Sequence, residues 1–137
     1  MAYKPFKVRV DTTRNPSDGE RYDGFWEVIA YDHSDADIAL RFAASAAQPV
    51  LVKEVVHIVE TAFGASATVA VGDGTTANYW LATADVTQNT PGNVADSLLA
   101  TAAKAGRLYT TNGEIKVTVG GTHTAGKGRL LAYLIRL

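Results

Sequence analysis

The chain has 137 residues, no cysteine, and 13 basic against 14 acidic side chains, for a formal net charge of −1. That length points to one domain, and the missing cysteines exclude a disulfide framework, a thiolate nucleophile and a cysteine zinc site, in keeping with a reducing compartment. Evenly mixed charge argues against nucleic acid as a partner, no run of ~18 apolar residues is present to cross a bilayer, and Met1-Ala2-Tyr3-Lys4-Pro5 lacks the apolar core of a signal peptide, so synthesis and folding in a cytoplasm are expected.

Along the chain, apolar residues recur mainly with period two, the period of a strand. Phe6, Val8 and Val10 share one face, opposite Lys7, Arg9 and Asp11. Residues 11–24 are polar, hold the turn cluster Asn15-Pro16-Ser17-Asp18-Gly19 and show no periodicity. Residues 1–24 therefore read as an extended N-terminal arm and loop, ahead of a single β domain over 25–137. Phe25-Trp26 and Tyr79-Trp80 are adjacent aromatic pairs. In a strand, neighbouring side chains point to opposite faces, so one ring of each pair is expected in the core and the other at an interface or under a loop.

Ile38, Leu40 and Phe42 alternate with Ala39 and Arg41. Val50–Thr61 is apolar on both faces, and its β-branched content favours a strand over a helix. Such a strand is covered on both sides, by a second subunit or by a long loop of the same chain. Ala67, Val69 and Val71 alternate with Thr68 and Ala70, and the Gly-rich residues 72–76 read as a hairpin connection. Residues 94–104, rich in Ala and Leu, read as a short helix capped by Asn93 and ended by Gly106. Asn112-Gly113 is the strongest hairpin signal, joining residues 107–110 to a strand in which Ile115, Val117 and Val119 oppose Glu114, Lys116 and Thr118. The last run, residues 130–137, is again apolar on both faces apart from Arg136. Many short strands with frequent turn signals and one short helix predict a mainly β fold, an antiparallel β-sandwich or jelly-roll-like barrel.

Motifs for chemistry are sparse. Residues 121–127 match the first seven positions of a P-loop, but Gly128 stands where a Ser or Thr should hold magnesium, and the segment leads into a strand rather than a helix. A flexible loop is expected there instead. Asp32, Asp35 and Asp37 flank His33 in a loop rich enough in oxygen for calcium, yet the spacing is not that of an EF-hand, and a solvated turn is expected. His33, His57 and His123 show no metal-ligand spacing, and no Gly-x-Ser-x-Gly nucleophile motif occurs. These residues point to a binding protein, with no metal, no cofactor and no enzymatic activity.

Several stretches together carry a family resemblance: Phe63-Gly64-Ala65-Ser66-Ala67-Thr68-Val69-Ala70-Val71-Gly72-Asp73-Gly74, Tyr79-Trp80-Leu81-Ala82-Thr83-Ala84-Asp85, Gly106-Arg107-Leu108-Tyr109, Glu114-Ile115-Lys116-Val117-Thr118-Val119, and Thr124-Ala125-Gly126-Lys127-Gly128-Arg129 before the last strand. In strand and turn order, residues 62–137 resemble the small β-sandwich virion proteins of tailed bacteriophages, notably capsid decoration (cement) proteins. The resemblance implies a homotrimer, or a dimer, seated on the virion's capsid surface where subunits of the major capsid protein meet, with an N-terminal arm gripping the shell. On that implication residues 3–24 are the arm. Arg14, Arg21, Tyr22, Phe25, Trp26 and Trp80 are then candidate contacts to the capsid protein. Two-faced apolarity nominates Val50, Val52 and Val56, with Leu131, Tyr133 and Ile135, for subunit–subunit packing. An arm ordered only on binding loses entropy at that moment, and several arms per oligomer offset the loss through effective concentration. Two alternatives stand beside this expectation. One is a carbohydrate-binding or host-recognition module using Trp26, Tyr79 and Trp80; the other is a structural protein of the tail or neck.

Overall fold

The computed structural model describes residues 6–8 and 24–137. In chain order the elements are β1 (Phe6–Val8), β2 (Gly24–Asp32), β3 (Ile38–Phe42), β4 (Val50–Thr61), β5 (Ala67–Gly72), α1 (Thr83–Val86), β6 (Val94–Asp96), β7 (Arg107–Tyr109), β8 (Gly113–Gly121) and β9 (Lys127–Arg136). The larger sheet runs β1-β2-β9-β4-β6, and β7 also pairs with β4; the smaller sheet runs β3-β8-β5. All pairings are antiparallel. Neither sheet closes on itself, so of the two expected architectures the sandwich is the one adopted. The expected arm contributes β1 to the sheet and Gly24 to β2, while residues 9–23 lie outside the described residues, as do residues 1–5.

Alternation correctly forecast the faces of the small sheet. Ile38, Leu40, Ala67, Val69, Val71, Ile115 and Val117 are all buried and meet Val52, Val55, Val59, Leu130, Ala132 and Leu134 of the large sheet in one cluster. Burying a side chain of this kind contributes roughly 1.5–3 kcal/mol, and apolar burial is the main term opposing chain entropy.

Turn signals marked reversals correctly but not their destinations. Asn112-Gly113 does not close a hairpin. β7 pairs with β4 in the large sheet, β8 lies in the small one, and Gly113 does not take the positive φ of a two-residue hairpin turn. Gly72 likewise ends a strand whose next partner is only a single bridge, Val71 to Leu81. Chain reversal here carries the backbone from one sheet to the other, as in most connections of the fold.

The helix expected over residues 94–104 is absent. Residues 94–96 form β6, pairing Val94, Ala95 and Asp96 with Ile58, His57 and Val56. Beyond them Ser97 receives the Val55 N–H on its hydroxyl (2.9 Å) and donates its own N–H to the Val55 carbonyl (2.8 Å). An isolated helix this short is marginal in water, and the open edge of β4 offers ladder hydrogen bonds instead. Among the described residues the one helical segment is α1, a single turn whose Asp85 accepts from Ala82 N–H and from both the N–H and hydroxyl of Thr101.

A bulge shapes β4. Its register against β9 passes from Val52↔Leu134 to Glu54↔Tyr133, leaving Lys53 without a counterpart. One extra residue exchanges the faces of everything beyond it. Val50 and Val52 therefore point into the core, and Val55, His57 and Val59 continue that face although their parity is odd. This corrects the expected subunit interface: Val50 and Val52 are 1% and 0% exposed, enclosed by their own chain, whereas Val56 stands on the opposite face.

His57 is fully enclosed, with Nε2 2.5 Å from the Tyr31 hydroxyl and Nδ1 without a hydrogen-bond partner among the described residues. Burial pushes the imidazole down from 6.5 to about 4 and the phenol up. Gly128 makes the pair possible, since a Cβ there would lie 2.8 Å from the Tyr31 oxygen and 2.9 Å from His57 Nε2.

Two predictions follow from this pair. The folded state holds His57 neutral, so below pH ~6.5 the unfolded chain takes up a proton that the fold refuses. His57 should thus subtract up to ~3 kcal/mol as pH falls from ~6.5 to ~4. Urea midpoints measured across that window should lose this component in His57→Gln, read as the difference between the two profiles. Gly128→Ala, which overpacks the same spot, should cost about 1–3 kcal/mol at pH 7 in the same assay.

Candidate interaction surface

The outward face of the large sheet is the most extensive surface that alternation leaves without a second layer among the described residues. Register places its side chains in rows across the strands. Ile135, Leu51 and Leu108 form one row; Trp26, Tyr133 and Glu54 the next; Val28, Leu131, Val56 and Asp96 a third; Ala30, Arg129, Ile58 and Val94 the fourth. Val28 and Val56 are each 9% exposed in the middle, while Val94 at 59% and Leu108 at 51% are open on the β6/β7 edge. In the excursion between those two strands, Leu99 is 86% exposed.

Trp26 and Tyr133 form the aromatic centre, with ring centroids 5.2 Å apart and planes tilted by 44°. Gly24 makes room for it, because a Cβ at that position would collide with the Tyr133 hydroxyl. Beside this centre Glu54 and Asp96 meet. The hydrogen bond to Asp96, with burial and the Asp96 charge, pushes Glu54 up to about 7. Arg129 sits one row beyond Leu131 and binds Glu60 at 3.0 Å.

Of the expected contact residues, the structure brings Trp26, Val56, Leu131, Tyr133 and Ile135 onto this one face. Phe25 turns the other way and packs against the core. Trp80 is 1% exposed and is enclosed in the core, so it is not available as a contact. Tyr79 and Trp80 lie outside the strands, where opposite-face logic fails; the rings stand edge to face at 5.0 Å. Tyr79 is covered by Lys104 and Arg107, each 4.8 Å from its centroid. Arg14, Arg21 and Tyr22 lie outside the described residues. Sequence inspection missed Leu51, Glu54, Ile58, Val94, Asp96 and Leu108, because the Lys53 bulge and the pairing of residues 94–96 and of β7 with β4 are what bring them together.

The other motifs resolve into local structure. Asp32 accepts from the N–H and hydroxyl of Ser34, Asp35 accepts from the Asp32 N–H, and Asp37 binds Arg41, so the three carboxylates have separate partners. Among the described residues no group of three or more His, Cys, Asp or Glu side chains is placed to hold a metal ion. The P-loop-like segment links β8 to β9, and the Gly126 carbonyl accepts from the His33 N–H at 2.9 Å. This contact brings together two histidines distant in sequence: the Nδ1 atoms of His33 and His123 lie 2.7 Å apart, which requires one ring to donate and the other to accept. No described helix is long and apolar enough to cross a membrane.

No protein-family model and no curated protein matches the chain. Solved structures that contain chains similar to it include two phage capsids. One is the acidic stable capsid structure of Helicobacter pylori bacteriophage KHP30, with 18% identity and a TM-score of 0.45 over 82% of this chain and 93% of that one. The other is the capsid asymmetric unit of cyanophage Pam1, with 18% identity and a TM-score of 0.47 over 85% of this chain and 89% of that one.

Proposed function

We propose that this protein is a virion structural protein of a tailed bacteriophage, a decoration protein that binds assembled major capsid protein and stabilises the shell by noncovalent contacts. The observation that carries the proposal is the outward face of the large sheet, where an aromatic pair and a band of aliphatic side chains have no second layer among the described residues. Large apolar faces of this kind mark protein–protein contact. Tyr and Trp suit such a face because they combine area with a polar handle. The sequence resemblance over residues 62–137 supports the same reading. A decoration protein of this build works as a homotrimer, with Val56, Leu131, Tyr133 and Ile135 shared between copies and Trp26 turned to the shell.

The test uses bare shells of the major capsid protein encoded with this chain. Addition of the full-length protein should saturate at a fixed ratio and raise the temperature of shell rupture. Trp26→Ala combined with Tyr133→Ala should weaken binding by roughly tenfold or more, the scale of an aromatic hot spot. Absence of binding to the shells, or a double variant that binds unchanged, refutes the assignment. A monomer by sedimentation at micromolar concentration refutes the trimer.

Burial of this face also predicts a pH dependence. Removing Glu54 from water beside the Asp96 charge favours its protonated form, so affinity for the shell should fall as pH rises through about 7. Glu54→Gln, which cannot ionise, should bind with a flatter profile between pH 6 and 8, as followed by co-sedimentation with the shells.

A further inference from the structure

A cavity of about 650 Å³ opens where the end of β3, the loop after β5, β7 and the start of β8 meet. Two guanidinium groups and two carboxylates line it in ion pairs: Arg41 Nε lies 3.1 Å from Glu114 while its Nη2 donates to Asp37 at 2.9 Å, and Arg107 binds Asp73. Packing holds the second of these pairs. Arg107 stacks on Tyr79 and Tyr109 at 4.8 Å each, and Phe42 stands edge to face with Tyr109 at 4.9 Å. Gly74, at φ +87°, lets the Glu114 carboxylate approach the loop, since a Cβ there would overlap it. A smaller hollow of about 220 Å³ shares Ala43 and Asn112 with the cavity and adds Ser45 and Gln48.

We infer that this cavity binds a neutral saccharide. Its volume is within the range of small-ligand sites. Each lining arginine already faces a carboxylate, and Arg41 faces a second one in Asp37, so an anionic ligand would meet neutralised arginines beside carboxylates that repel it. An apolar ligand would strip water from four charged groups without replacing their hydrogen bonds. A hydroxyl both donates and accepts, which lets a polyol satisfy a guanidinium and a carboxylate at once. Each ion pair leaves donors and acceptors over for this, since a guanidinium has five N–H groups and a carboxylate about four acceptor positions. Because packing has already ordered Arg107, little of its conformational entropy remains to be lost on binding. The site is separate from the Trp26, Tyr79 and Trp80 platform considered from sequence, which the fold does not assemble, and it does not depend on the shell-binding assignment.

The test is an NMR titration of the ¹⁵N-labelled full chain with glucose, galactose, N-acetylglucosamine and cellobiose, and with sodium sulfate as the anion. At least one sugar should give saturable shifts confined to the amides of residues 41–43, 73–75 and 107–114, with a Kd on the order of millimolar. Glu114→Gln should weaken that Kd by roughly tenfold, the loss of one charged hydrogen-bonding partner. Thr111→Trp, a filling change at an exposed lining residue, should abolish the shifts and leave shell binding at the wild-type level. The inference is overturned by any of three results: no saturable shift with any of the sugars, the same shifts produced by sulfate, or shifts that persist unchanged in Thr111→Trp.

Discussion

The bulge at Lys53 governs the rest of the molecule. β4 is flanked by β9 on one side and by β6 and β7 on the other, so both its faces are read out by neighbouring strands. With uninterrupted alternation, Val50 and Val52 would share a face with Glu54, placing a carboxylate in the core and His57 outside it. The extra residue reverses this. Val55, His57 and Val59 complete the core wall, and Glu54 emerges beside Asp96. A single backbone irregularity thus avoids the large desolvation cost of an enclosed carboxylate and creates the outward surface.

The two faces of the large sheet consequently carry opposite electrostatic designs. Inside, the polar pair of Tyr31 and His57 is held neutral by burial, and Gly128 supplies its space. Outside, Glu54 and Asp96 are crowded within an apolar band. Both arrangements resist charge, in opposite directions of pH: acid charges the imidazole of His57, whereas base charges Glu54.

Most connections carry the chain between layers, so the ends of the sandwich are built from corners rather than hairpins. Corners gather residues remote in sequence. Arg41, Asp73, Arg107 and Glu114 come from four separate segments, as His33 and His123 come from two. A rigid pair of sheets presenting polar groups on such connections is the arrangement by which scaffolds of this type usually carry binding sites.

The local pattern of the chain determined the fold class, the extents of the alternating strands and the side chains that fill the small sheet, because period two and burial of one face act residue by residue. The complete span of Val50–Thr61 was legible for the same reason. Tertiary structure alone decided the face assignment beyond Lys53, the choice of strand over helix for residues 94–96, and the enclosure of Trp80. Each depends on a partner far along the chain: β9 for the register, the free edge of β4 for the ladder, the core for the indole. The candidate surface was accordingly half visible. Leu131, Tyr133 and Ile135 share a face by parity, while Glu54, Asp96 and the polar cavity exist only after distant strands have met.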